Sequence, residues 1–342
     1  QDNNNGFVVV SADDRTAEEV LLYSDKGSFN PQKVNPNFQW WLDRFAEEIT
    51  VLQTMDDSEF IHGPAARKAA QVDAIAPLLK NSNGQEIAWY QEAPYYNLCP
   101  MDQRDTTRCL TGCVATAASM IMYKWRWPVK GTGSSSYTWY DCKDDNCNKY
   151  WTKTLSANYG ETTYDWDNML PYYTSGYNST QAKAVATLLY HVGIAADMDY
   201  DPDGSGASSS ISLANLGTYF GYDKGINTLP KDFMKEEDVL NAIAADLKIG
   251  HPVYVSGATK NQEGHAFVCD GMQSDGYLHI NWGWYGISNG YFALSALDPE
   301  QQGTGGSASD MAFTESVEIY TGIQPDQGGV ATPLMTVDKL TF

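Results

Sequence analysis

Basic side chains are scarce in this chain: 22 lysines and arginines stand against 43 aspartates and glutamates, a formal net charge of −21. Nucleic acid and anionic membrane surfaces both need basic patches, so neither is expected as the main partner, and the charge serves solubility instead. No apolar run approaches the ~20 residues that span a bilayer, so no membrane insertion is expected. Cysteine is sparse too, with six in 342 residues: Cys99, Cys109, Cys113, Cys142, Cys147 and Cys269. Their spacings do not make two compact ligand pairs, which argues against zinc; no metal and no cofactor is expected. Cys99/Cys109 and Cys142/Cys147 each flank a short polar loop, and either pair suits a small disulfide in an exported protein. Cys269 lies in an apolar run and reads as a reduced core residue. No internal repeat is visible. The chain opens on polar Gln1-Asp2-Asn3-Asn4-Asn5, as a secreted protein does after signal removal. Export is therefore expected, to the medium, the cell surface or a bacterial periplasm.

What is present divides the chain. Residues 7–10 and 20–23 read as short strands, and 37–53 has helical periodicity through Phe38, Trp41, Leu42, Phe45, Ile49 and Leu52. Residues 54–71 are polar, contain Gly63-Pro64 and Arg67-Lys68, and read as an exposed connector open to proteolysis. The character changes near Val72. Residues 113–127 form an apolar helix stopped by Pro128; 182–192 is a second helix with Ser179-Thr180 as cap; 236–247 is a third. Two stretches look irregular: 131–160, rich in Ser, Tyr, Asn and Asp, and the Gly/Ser-rich 201–210. Strands are expected at 253–255, 266–268, 277–280, 290–294 and 316–320. A helical half followed by a β-rich half makes an α+β protein.

The chemistry lies in three separated segments. Gly112-Cys113-Val114 opens the apolar helix, Gly264-His265-Ala266 opens a strand, and Asn281-Trp282-Gly283-Trp284 follows it. His265 comes 152 residues after Cys113, and Asn281 16 after His265. Cysteine first, with histidine and asparagine far downstream, is the order a thiol protease uses. A helix N-terminus and a neighbouring imidazolium both favour the thiolate, so the Cys113 pKa is expected to fall. Gly112 permits a tight turn and close approach of a substrate backbone, as Gly264 does before the histidine. A five-residue loop over 271–275 would set His265 opposite Asn281, letting the asparagine amide orient the imidazole behind Trp282 and Trp284. The Cys113 N–H and the Gln91 amide are the expected oxyanion donors.

These segments, with Asp197-Met198-Asp199-Tyr200, Asp270-Gly271, Ala296-Leu297-Asp298-Pro299 and Gly303-Thr304-Gly305-Gly306, resemble the streptopain and interpain group of bacterial cysteine proteases, in the papain-like superfamily. The likeness runs over about 72–325 and implies a papain-like fold, a helical subdomain beside an antiparallel β subdomain. It implies Cys113 as nucleophile, His265 as base and acid, Gln91 as oxyanion glutamine, and Trp282 and Trp284 bordering the site. It leaves open whether Asn281 or the adjoining indole orients the histidine. It also implies protein or peptide substrates with a hydrophobic residue two positions before the scissile bond. Residues 1–71 are similar to the family's propeptide, an α+β segment acting as an intramolecular inhibitor, so the chain reads as a zymogen. Three features depart from the pattern: the Cys142/Cys147 loop, the Cys99 and Cys109 pair, which suggests redox control, and a C-terminal extension, 326–342, without a place in the core.

Two rivals share some of these features. A transglutaminase or cell-wall amidase uses the same Cys–His logic but favours an aspartate as third residue. A non-enzymatic binding module would explain the 10 Trp and 22 Tyr without any thiol chemistry.

Overall fold

The structure, a computed structural model, describes residues 73–104, 106–142, 149–299, 312–326 and 328, together with 7–10, 20–24 and positions 42, 46 and 50. The two expected N-terminal strands are present as β1 (Phe7–Val10) and β2 (Val20–Ser24), paired antiparallel. Positions 42, 46 and 50 are helical. The other residues of the expected helix 37–53, the connector with Arg67-Lys68, and nearly all of the tail lie outside the described residues.

Helix α1 (Cys113–Trp125) is buried at every position from Val114 to Tyr123. Its Ala- and Met-rich sequence has no polar stripe to offer solvent, so it can be stable only as a core helix. It ends at Arg126, which caps it in the left-handed conformation at φ 51. Pro128 disfavours helical geometry for the residue before it. Helix α2 (Ser179–Ala195) begins one residue after Asn178. Asn178, not the expected Ser179 or Thr180, is the cap: its side chain accepts from Gln181 N–H while the Gln181 side chain accepts from Asn178 N–H.

The six-stranded antiparallel sheet has the order β5-β10-β6-β7-β8-β9. Its strands are β5 (Asn227–Pro230), β6 (Val253–Ala258), β7 (Gly264–Met272), β8 (Leu278–Asn281), β9 (Gly290–Phe292) and β10 (Glu315–Thr321). Side chains alternate across it and both faces are buried. Tyr254, Ala266, Val268 and Tyr320 point into the core built around α1 and α2. Val253, Val255, Phe267 and Cys269 point into a second core, closed by Val239, Ile243 and Leu247 of α4 (Glu236–Lys248). The sheet therefore divides a helical half from a β half and brings β7 against α1.

Two expectations from composition are corrected. The stretch 131–160 is not a loop region: it contains a nine-residue hairpin, β3 (Ser134–Cys142) with β4 (Tyr150–Asn158), in unbroken register. Lys153 and most of its serines face outward, while Trp139, Leu155 and Ala157 alternate into the core together with Asp141, beside Tyr and Thr of high strand preference. The stretch 201–210 is irregular only as far as Ser208. Asp199 and Gly206 exchange backbone hydrogen bonds, and Ser208 caps helix α3 (Ser209–Tyr219), whose Leu213 and Leu216 are buried. Ser208 is the cap, Ser209 and Ser210 open the helix, and Ser205 is buried with its hydroxyl donating to the Leu110 carbonyl at 2.7 Å. Cys142 is disulfide-bonded; Cys147, its expected partner, lies outside the described residues. Cys99 and Cys109 are free thiols, both buried, so they do not form the other expected disulfide. Cys269 is free and buried as expected.

Candidate active site

Gly112 precedes α1 at φ 83, a conformation that L side chains disfavour. A Cβ there would also lie 2.7 Å from the Met198 sulfur and 2.9 Å from the Ser205 carbonyl oxygen, so glycine is required on both counts. No acidic residue occupies the first turn of α1 and no side chain caps it. The helix N-terminus therefore has no side-chain partner at Cys113, a half-buried residue. Thr111 and Thr116 brace this turn: their hydroxyls are 3.1 Å apart, and Thr116 also donates to the Gly112 carbonyl at 2.9 Å.

Gln91 is brought to the same place by its backbone. Its carbonyl accepts from the Thr111 N–H at 3.2 Å, two residues before the cysteine. The segment leading to it is anchored by Trp89, fully buried, whose indole N–H donates to the Leu170 carbonyl.

From the sheet side, β7 presents His265, which pairs with Gly257 of β6. The backbone N–H of Ala266, the next residue, reaches the Cys113 thiol. Gly264 has open space where a Cβ would stand. The imidazole is buried among aromatic rings: Trp284 stacks on it at 4.7 Å between centroids, and Phe313 packs at 5.2 Å. Its Nε2 lies 2.9 Å from the main-chain carbonyl oxygen of Trp282. A carbonyl only accepts, so Nε2 carries the proton and Nδ1 keeps the lone pair of the neutral ring.

The expected pairing of His265 with Asn281 is not formed. Asn281 pairs with Val268 instead. Ile75 and Met272 exchange backbone hydrogen bonds, and Leu78 N–H donates to the Asp270 carbonyl. These contacts hold 270–272 in strand, move the turn to 273–277, and leave a bulge between Cys269 and Gly271. The Asn281 side chain is fully buried and donates to the Ile87 carbonyl at 2.7 Å while accepting from Gly283 N–H at 3.1 Å. It ties the Gln91 segment to the turn after β8, and the main chain of Trp282 holds the imidazole. Side-chain patterns carry no information about a main-chain acceptor, so this contact had no sequence signal. The Trp282 ring is itself locked by its indole N–H to the Ser288 carbonyl and its backbone N–H to Asn289 Oδ1. Phe313 was also missed; it comes from the loop before β10 and belongs to no motif.

The electrostatics differ from the expected thiolate. Burial pushes the Cys113 thiol up, against the N–H groups of Ala266, Val114 and Cys113, which pull it down. Burial likewise brings the His265 pKa down to about 4, opposed by its bond to the Trp282 carbonyl. Both shifts favour the uncharged thiol and imidazole, because apolar surroundings penalise each charged form. Among the described residues no cluster of three or more His, Cys, Asp or Glu is arranged to hold a metal ion. Nor, among the described residues, is any helix long and apolar enough to cross a membrane.

A sheet that brings the strand carrying a histidine against a cysteine at the head of a buried helix is the architecture of a thiol peptidase. Residues 89–292 match the Peptidase C10 family, and residues 1–49 match the Spi protease inhibitor family. The chain is 33% identical to streptopain of Streptococcus pyogenes over 94% of its own length and 78% of that protein. It is 34% identical to the thiol protease/hemagglutinin PrtT of Porphyromonas gingivalis over 94% of this chain, but spans only 36% of that longer protein. Two solved structures from Prevotella intermedia are similar, each 31% identical. Active interpain A covers 76% of this chain and 98% of its own (TM-score 0.62), and a prointerpain A fragment covers 93% and 92% (TM-score 0.58). The chain belongs to the peptidase C10 family: it is a cysteine peptidase with the papain-like α+β fold, acting on protein substrates.

Proposed function

We propose that this chain is the self-inhibited precursor of a secreted endopeptidase in which Cys113 is the nucleophile and His265 the general base and acid. The observation that supports it best is the imidazole's tether. With Nε2–H held on the Trp282 carbonyl, Nδ1 is the atom left to accept the thiol proton. The thiolate then adds to the scissile carbonyl. The oxyanion is met by the Cys113 N–H and by Gln91, whose backbone is fixed to Thr111. His265 returns the proton to the leaving amine, and water releases the acyl group from sulfur by the reverse sequence. Gly264 leaves room for the substrate backbone, whereas Gly112 is required by the packing of Met198 and Ser205 beneath the thiol's turn, and Trp284 shields the imidazole. Asn281 acts by positioning the turn that carries Trp282, not by touching the histidine. A hydrophobic residue two positions before the scissile bond is the expected preference.

In this reading residues 1–71 are the inhibitory propeptide, 72–325 the catalytic domain, and 326–342 an extension whose role is open. The inhibitor-family match over residues 1–49 supports this division. So does the coverage of this chain, 93% by the precursor fragment but 76% by active interpain A. Neutral Cys113 and His265 suit a resting precursor. The test is a time course of the full chain in reducing buffer beside Cys113→Ala, read by gel, N-terminal mass and casein cleavage. Loss of about 70 N-terminal residues with emerging activity, in the wild type alone, is the expected result. An active Cys113→Ala protein would sink the mechanism.

A further inference from the structure

A cavity of about 450 Å³ is lined by Ala88, Tyr172, Tyr173, Thr174 and Tyr285. The catalytic reading uses none of these residues. Tyr285 adjoins Trp284, the residue stacked on His265. Its N–H donates to the Trp89 carbonyl at 3.1 Å, two residues before Gln91. Ala88 N–H donates to the Pro171 carbonyl at 2.8 Å, which brings residues 172–174 to the opposite wall.

Tyr285 is held in place with some force. Its φ is 56, in the left-handed region that a bulky residue avoids. Such a conformation persists only where the surroundings over-determine it. Here the ring stacks on Tyr90 at 4.3 Å, and the hydroxyl donates to the Ala93 carbonyl at 3.3 Å. Tyr285 and Tyr172 nevertheless remain 36% and 45% exposed, so the rings are open to a ligand.

Direction follows from the chemistry. The imidazole must reach the leaving amine, so the peptide beyond the scissile bond runs out past His265. Trp284 covers one face of the imidazole, and Tyr285 follows it in the chain. An extended peptide advances about 3.3 Å per residue, so its second or third residue reaches the tyrosines. The chemistry of the cavity favours positive charge. Tyrosine faces attract cations. Glu92 is exposed beside them, and its charge adds to burial in raising the phenol pKa of both Tyr90 and Tyr285. A planar guanidinium can stack on a ring while keeping its charge toward the carboxylate, which an ammonium does less well.

We propose that this tyrosine-lined cavity is a subsite for an arginine placed two or three residues after the scissile bond, so that substrates with basic leaving segments are preferred. This rests on Cys113 and His265 being the catalytic pair. The test uses the full chain, activated in reducing buffer or by limited proteolysis. It is given internally quenched peptides identical except for Arg, Phe, Gly or Glu at those two positions. Arg is expected to exceed Gly in kcat/KM by about tenfold, with Glu lowest. The Arg/Gly ratio should fall toward one in Tyr285→Ala and in Glu92→Gln. The isosteric Glu92→Gln change sits at an exposed site and keeps the test decisive should Tyr285→Ala fold poorly. Arg no better than Gly, Phe best of the four, or an unchanged ratio in both variants would each overturn the subsite while leaving the catalytic pair standing. No thiol-dependent turnover of any peptide would overturn the catalytic reading and the subsite with it.

Discussion

Asn281 shows how a correct residue can hold an unexpected post. Its amide bridges the Ile87 carbonyl and the Gly283 N–H, and both bonds are buried. Asn281→Ala leaves that carbonyl buried without its partner, at a cost of about 1–3 kcal/mol. The expected outcome is a lower urea midpoint, together with reduced kcat/KM as the Trp282 turn loosens. Lost activity at an unchanged midpoint would instead favour an amide that orients the imidazole directly. Gln91→Ala is expected to lower kcat roughly a hundredfold with little change in stability, as for one lost oxyanion donor. A negligible effect in stopped assays of the activated chain would remove Gln91 from the site.

Among the elements, β7 does most to build the site, and its register depends on a pair away from the chemistry. Asp270 Oδ1 accepts from His279 Nδ1 at 2.6 Å, and Oδ2 accepts from the Leu79 N–H at 2.8 Å. The carboxylate is 1% exposed. It clips the start of the catalytic domain to the bulge that sets how β7 faces β8. Asp270→Ala strands a histidine and a backbone N–H in the interior, and removing one member of a buried pair costs about 3–5 kcal/mol. Chemical denaturation should show that loss. A change below about 1 kcal/mol would mean that the clip is dispensable. Helices α1, α2 and α4 and the final strands were legible because their periodicity is local, whereas α3 was not expected. The β3–β4 hairpin was not, because polar composition hid an alternation whose inner members meet their partners only in the folded core.

For the whole molecule, burial makes the fold sensitive to acid. His191 lies in the helical core, with Tyr164 Oη 3.0 Å from its Nδ1 and the Tyr159 ring edge-on. Burial lowers its pKa from 6.5 to about 4. Between those values the unfolded chain binds a proton that the folded one refuses. Stability is therefore full above about pH 6.5 and falls as the pH drops toward about 4. His265 acts in the same direction. The drop assigned to His191 is on the order of 3 kcal/mol. Urea midpoints at pH 7.5 and 4.5 should diverge less in His191→Gln than in wild type. Equal divergence would clear His191 as a cause.

The order of glutamine, cysteine, histidine and tryptophan, the apolar helix behind the thiol and the strands of the final third were determined by sequence alone. Each is either a local period or a motif of adjacent residues. Only the tertiary structure decided which oxygen holds the imidazole, why Gly112 admits no side chain, and that burial favours the uncharged forms of Cys113 and His265. The acceptor is a main-chain carbonyl, the obstacle is Met198 from another segment, and the charge states follow from burial by rings that include Phe313. Those contacts join residues far apart in the chain, through a register set by the pairing of Ile75 with Met272. No local pattern records which distant segment will fill a given space.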